Sequence, residues 1–255
     1  MNPLLVVLIH SPLVGPMTWR ECATALRSID RPTLVPSLAG VTDAEPPWIP
    51  KLADRVAEAL RRDRPESRVA LIVHSGAGAL VPAIHAILGP LMSAAVFVDA
   101  VIPRPGHSWF DTAPPALGRR LRELSQGGVL PPWNEWFPPE SIASHVPDDA
   151  LRARFLAEIP RLPLEYFEEV APEVEGWDAI PCGYLRLSDA YEDTAAEAVA
   201  RGWPLKHYPS DHLAMVTQPE AIAAALDQML EQMGFPPDPG RARARAPDTG
   251  QPVAE

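Results

Sequence analysis

The stretch LIVHSGAGAL, residues 71–80, sets a small polar residue, Ser75, at the end of an apolar run and in front of glycines. A serine where a buried strand gives way to a helix can be raised on a tight turn. Its hydroxyl is then exposed at the carboxyl edge of a sheet, the position of an acyl-transfer nucleophile. The usual surround is glycine two residues before and two after. Here those places hold Val73 and Ala77, and Gly76 and Gly78 relieve crowding only on the helix side. The same residue would also serve as an ordinary helix N-cap, so its partners decide the reading. A serine hydroxyl is unreactive at neutral pH without a general base. His212, in PSDHLAMVTQPEAI, lies after the last expected strand and before the last expected helix, where it can reach a serine at that edge.

The elements that must position these residues alternate. Leu4–Ile9, "VALIVHS" and "SAAVFVDAVIP" are continuous apolar runs that suit strands buried on both faces. Between them, "MTWRECATALRSI" puts Trp19, Cys22, Ala23 and Leu26 on one helical face, and the helix around Leu52, Val56 and Leu60 does the same. "PTLVPSLAG" reads as a short strand and turn, and "GAGALVPAIHAILGP" as the helix after Ser75. "CGYLRL" and "LKHYP" read as late strands, with helices at "EDTAAEAVARGW" and "QPEAIAAALDQMLEQM". The pattern predicts an α/β fold with a mostly parallel central sheet and helices on both faces. The alternation breaks over residues 104–175, which are rich in Pro, Trp and Phe and are expected to form an inserted helical cap. Residues 1–103 and 176–235 are expected to form the core, and residues 236–255 a disordered tail.

The formal net charge of −11 over 255 residues argues against nucleic acid or an anionic membrane as a partner. Leu4–Ile9 is too short to span a bilayer and lacks the flanks of a signal peptide. Cys22 and Cys182 are far apart and suggest a reducing, cytoplasmic setting, not a disulfide framework. No pair of histidines has metal-ligand spacing, and no dinucleotide or phosphate loop is present, so neither metal nor cofactor is expected. The expected partner is a small-molecule substrate, and a homodimer is compatible with the sequence.

The segments "LIHSPLVGPMTW", "VHSGAG", "VFVDAVIP" and "DHLAMVTQPEAI" together resemble the α/β-hydrolases, in particular the compact esterase and hydroxynitrile-lyase branch, over about Leu4 to Met233. The resemblance implies the order nucleophile, acid, histidine, with Ser75 and His212 at the ends and residues 104–175 as a lid. It implies an acid in the turn after "GYLRL", where Asp189 is the choice and Asp193 lies one helical turn on; Asp99, at the end of the preceding strand, is an alternative location in this fold. It also implies two oxyanion donors. One is the N–H of Gly76. The second falls in the loop His10-Ser11-Pro12-Leu13, where Pro12 has no N–H to give. Losing one such donor costs ~3 kcal/mol of transition-state stabilisation. Either Leu13 donates from a shifted loop, or the Ser11 hydroxyl donates, or the chemistry does not pass through a strongly held oxyanion.

The substrate is expected to meet Pro12, His74 and aromatic residues of the cap: Trp109, Trp133, Trp136 and Phe137. His74 is also placed to pack or hydrogen-bond below the site, and His10, His85, His107 and His145 read as structural. Phe110, Tyr166 and Phe167 share the cap, and many of its aromatics would form its own small core. The function expected is hydrolysis of a carboxylic ester, lactone or thioester of a small to medium apolar substrate through a Ser-His-Asp triad and an acyl-enzyme. Two rivals stand: lyase-like chemistry on the same residues, and a binding protein of this fold with little turnover.

Overall fold

The computed structural model describes residues 4–63 and 67–237. Most of the expected tail therefore lies outside the described residues. Six strands form one sheet: β1 (Leu4–Ile9), β2 (Thr33–Leu34), β3 (Arg68–His74), β4 (Met92–Val98), β5 (Cys182–Arg186) and β6 (Leu205–His207). Their order is β2-β1-β3-β4-β5-β6, and every neighbouring pair is parallel. The chain winds outward from β1 to β2, then returns to the other side of β1 to lay down β3. That reversal opens a crevice beyond the carboxyl ends of β1 and β3, the usual place for a ligand in an open α/β sheet. The loop carrying Ser11 leaves β1 there, and Ser75 follows β3 directly.

Alternate residues of each strand face opposite layers. Leu5, Val7, Ile9, Val69, Leu71 and Val73 pack with helices α2 (Trp48–Asp63) and α3 (Val81–Leu88), and Phe97 and Tyr184 carry the same layer to α8 (Glu192–Ala200). On the other face, Val6, Leu8, Ala70, Ile72 and Val96 meet α1 (Met17–Ser28) and the closing helix α10 (Pro219–Gln232). Trp19, Cys22, Ala23 and Leu26 of α1 are all buried there, as their 3.6-residue spacing predicts. Cys22 and Cys182 sit in opposite layers.

Between β4 and β5 the chain adds no strand to the sheet. It makes α4 (Trp109–Thr112), α5 (Pro115–Leu124), α6 (Pro139–His145) and α7 (Asp149–Leu156). Leu121, Leu130, Trp136, Leu162 and Phe167 form a small cluster of their own, against which Leu13 of the β1 loop packs. Two carboxylates tie this stretch to the core. Glu158 accepts from the Met17 N–H at 2.6 Å, at the start of α1. Glu169 accepts from Trp48 N–H and Ile49 N–H at 2.6 and 2.9 Å, at the start of α2. Both satisfy N–H groups that have no partner inside a helix, and both place negative charge at the positive end of the helix dipole.

Candidate active site

The turn after β3 is sharp. Ser75 has φ +54°, a left-handed conformation that a side-chain-bearing residue rarely adopts. It opens a 3₁₀ stretch, Ser75–Leu80, before α3 begins. The sequence predicted one continuous helix here; two features prevent it. Pro82 cannot donate back to the preceding turn. The Ser75 carbonyl instead accepts from Val101 N–H at 3.1 Å, across to the loop after β4. That loop passes so close that a Cβ on Gly78 would lie 2.0 Å from the Val101 carbonyl oxygen, which is why glycine stands there.

His212 follows β6 and precedes α9 (Ala214–Thr217). Its Nδ1 lies 3.3 Å from Asp99 Oδ2. With Nδ1–H directed at the carboxylate, Nε2 is left as the acceptor, the tautomer a general base requires. The His212 carbonyl accepts from His74 Nε2 at 3.0 Å, and the two rings approach to 4.5 Å. His74 itself is fully enclosed, and burial, reinforced by the nearby His212, holds its pKa well below the ordinary value. It is a neutral prop beneath His212, and it is not among the walls of the cavity described below.

Asp99, not Asp189, is the carboxylate that meets the histidine. Asp99 is 0% exposed and turns at φ +39° immediately after β4. Its oxygens accept from Leu187 N–H at 2.7 Å, from the Ser188 hydroxyl at 2.6 Å and from Ser188 N–H at 3.1 Å, in addition to His212. These donors replace the water that burial takes away from the carboxylate. Tyr184 fixes the following residue by donating to the Ala100 carbonyl and accepting from Ala100 N–H. Asp189 instead points outward, 95% exposed, beside Arg186 at 3.7 Å. Asp193 is also on the exposed side, at the start of α8.

The β1 loop is held by its own hydrogen bonds. Leu13 N–H is turned to Ser11 Oγ at 3.3 Å, and Val14 N–H to the Ser11 carbonyl at 3.1 Å. Ser11 Oγ therefore accepts from the loop and keeps its own proton to give. It is 2% exposed and lies 3.1 Å from where a Cβ on Gly76 would be, so the hydroxyl and the Gly76 backbone face one small space. His10 shapes the loop. Its Nδ1 donates to the Ser11 carbonyl at 2.8 Å and its Nε2 accepts from Leu38 N–H at 3.1 Å, while burial lowers its pKa to about 4.

A cavity of about 80 Å³ opens from Ser11, Pro12, Leu13 and Gly76. Its far walls are largely apolar, with Ile49, Ala79, Ile102, Trp109, Tyr166 and Phe167, and His107 and Ser108 at its edge. Of the expected substrate contacts, Pro12 and Trp109 line it. Trp133 does not line it but stands beside His212, the two ring centres 6.4 Å apart. Trp136 is buried in the cluster between β4 and β5, its indole N–H bonded to the Pro131 carbonyl. Phe137 is 42% exposed and packs edge-on against Trp133, on a separate surface recess. Apolar character alone could not tell these roles apart.

The sequence reading missed Tyr191. Its hydroxyl is 3.4 Å from Ser75 Oγ, and its ring lies parallel to that of His212, 5.1 Å away at 6°. The resemblance implies an acid at Asp189, two residues earlier, and nothing in the local pattern marks the tyrosine. Among the described residues, no three His, Cys, Asp or Glu side chains gather as a metal-binding group, and no helix is long and apolar enough to cross a membrane.

No curated protein matches the chain at a significant level. Solved structures do. An extracellular α/β-hydrolase from a Paenibacillus species superposes with a TM-score of 0.72 at 20% identity, covering 89% of this chain and 99% of that one. A pyrethroid hydrolase from Sphingobium faniae gives 0.68 at 16% identity, with 90% and 98% covered. A methylesterase from Arabidopsis gives 0.64 at 16% identity, with 90% and 99% covered. At these identities the likeness is one of fold. The family model described as "Alpha/beta hydrolase family" matches residues 6–225, nearly the whole run from β1 to α10. The chain belongs to the α/β-hydrolase family.

Proposed function

We propose that the protein is a cofactor-free serine hydrolase acting on carboxylic esters, lactones or thioesters with a short apolar acyl group. Ser75 is the nucleophile, His212 the general base, and Asp99 the acid that orients and stabilises the imidazolium. Gly76 N–H and the Ser11 hydroxyl hold the oxyanion. The observation that carries the reading is the Asp99–His212 pair, delivered to the sheet edge where Ser75 sits on a strained turn.

The steps follow from these positions. Nε2 of His212 takes the proton from Ser75 Oγ as Oγ attacks the acyl carbon. The carbonyl oxygen gains charge between Gly76 and Ser11. His212 returns the proton to the departing alcohol or thiol. Water then attacks the acyl-enzyme with His212 again the base, and Ser75 leaves with its proton restored. The cavity that begins at the oxyanion side suits the acyl part of the substrate. Its volume of about 80 Å³ is well below the roughly 150 Å³ of a cavity that holds benzene, so it suits a short aliphatic acyl group better than an aromatic one. The likeness in fold to a methylesterase and a pyrethroid hydrolase supports ester chemistry in the same general class.

The test is labelling with a fluorophosphonate, located by mass spectrometry, followed by a series of aryl esters of rising acyl length. The expected result is one adduct on Ser75, absent in Ser75→Ala and strongly slowed in His212→Ala, and hydrolysis that favours short aliphatic over long or aromatic acyl groups. A folded protein that takes no adduct and turns over no ester would overturn the reading.

A further inference from the structure

The turn after β5 was expected to supply a carboxylate; it supplies a phenol. Residues Asp189–Tyr191 form a 3₁₀ turn leading into α8. Ser188, just before the turn, bonds to Asp99, and Tyr191, at its end, reaches Ser75 and His212. The residues on either side of this reach are both drawn to Arg186: Asp189 at 3.7 Å and Glu192 at 3.2 Å. One short turn thus touches nucleophile, base and acid together.

Resting on the triad reading above, we propose that Tyr191 is a further catalytic residue, a neutral phenol that donates its hydrogen bond to Ser75 Oγ throughout acylation. The 3.4 Å separation fits either hydroxyl as donor, and the proposal assigns the donor role to Tyr191. A serine oxygen that accepts from Tyr191 keeps its own proton for His212 Nε2. When that proton moves to His212 and Oγ gains negative charge, the bond from Tyr191 becomes charge-assisted and strengthens. It is then stronger in the transition state than in the ground state, the condition for accelerating the chemical step. The phenol keeps its proton throughout: burial is the main cause raising its pKa to about 12, and the charge of Asp99 adds to it. The ring contributes separately, by lying flat against the His212 imidazole and limiting its rotation.

Tyr191→Phe separates the two contributions, since it removes the hydroxyl and keeps the ring. The experiment measures the second-order rate of fluorophosphonate labelling across pH, with thermal unfolding as the check on fold. In labelling, the Oγ–P bond forms, the P–F bond breaks, fluoride leaves and the Oγ proton goes to His212, so no substrate needs to be known. The expected result is labelling slowed roughly 10- to 100-fold in Tyr191→Phe, the range for a lost hydrogen bond to a charged group. The midpoint of the acid limb should stay unmoved. With an ester substrate, kcat should fall and KM should hold. Equal labelling of wild type and Tyr191→Phe would overturn the role of Tyr191 alone. A shifted acid limb with an unchanged plateau would reduce the residue to a wall for His212 and overturn the proposal equally. Absence of any adduct on the folded wild-type protein would instead overturn the triad reading, and this proposal with it.

Discussion

Asp99 and His212 are separated by 113 positions in the sequence and by 3.3 Å in the fold. The contact depends on both residues leaving the same edge of a parallel sheet, one after β4 and the other after β6. It also depends on Asp99 taking a left-handed turn that aims its carboxylate across β5.

Replacing Asp99 by Asn should lower kcat/KM toward an activated ester roughly 10³- to 10⁴-fold, because an amide no longer enforces the working tautomer of His212. Asparagine tolerates the left-handed backbone, so the fold should persist. Asp189→Asn should remain within about twofold of wild type, since it removes only an exposed ion pair. Steady-state kinetics on the two variants side by side decides which aspartate serves the histidine.

Ser11→Ala should reduce kcat by roughly 10²-fold or more with little change in KM, the pattern for an oxyanion donor that acts in the transition state. Leu13 N–H would lose its acceptor in this variant, so a thermal melt should accompany the kinetics. If Leu13 N–H then turned to the oxyanion, activity would be largely retained, and the hydroxyl would be ruled out as the donor.

The strain at Ser75 is measurable. Glycine has no penalty at φ +54°, so Ser75→Gly should gain about 1 kcal/mol in urea unfolding after allowance for its greater unfolded-state freedom. Ser75→Ala keeps the Cβ and should unfold near the wild-type midpoint. Both should be inert to the fluorophosphonate.

Acid should destabilise the protein through His10. The usual pKa of 6.5 falls to about 4 in the fold, chiefly because burial disfavours the charged ring. Between these two values the unfolded chain binds more protons than the folded one, so stability rises with pH across that window. The contribution is complete above about 6.5 and lost by about 4, and amounts to on the order of 3 kcal/mol. His74 is shifted in the same direction for the same cause. Urea midpoints measured from pH 7 down to pH 4 should therefore fall steeply, and His10→Gln should flatten part of that slope.

Much of the scaffold was legible because its signals are local. Continuous apolar runs marked β1, β3 and β4, and the spacing of Trp19, Cys22, Ala23 and Leu26 marked the buried face of α1. Ser75 and His212 were legible because each stands at the boundary of such an element. The carboxylate that meets His212 was harder to read: Asp99 and Asp189 both follow strands, and only the backbone turn at each decides which one faces the histidine. The donors that hold Asp99, from Leu187 and Ser188, lie on a neighbouring strand end and leave no trace around Asp99 in the sequence. The aromatic residues between β4 and β5 divided between a cavity wall, a private core and the surface according to how short helices pack, which composition does not encode. Tyr191 lay hidden for the same reason, beside a more conspicuous aspartate.

The carboxylates of Glu158 and Glu169 bear on how exchangeable the segment between β4 and β5 is. Each belongs to the stretch between β4 and β5, yet each completes the first turn of a helix that belongs to the sheet. A transplant of residues 104–175 into another hydrolase would bring two anions whose hydrogen-bond donors are the starts of α1 and α2. Without Met17, Trp48 and Ile49 in register beneath them, the graft would strand those charges and leave the host helices uncapped. The segment and the two helix beginnings it closes should therefore be moved together.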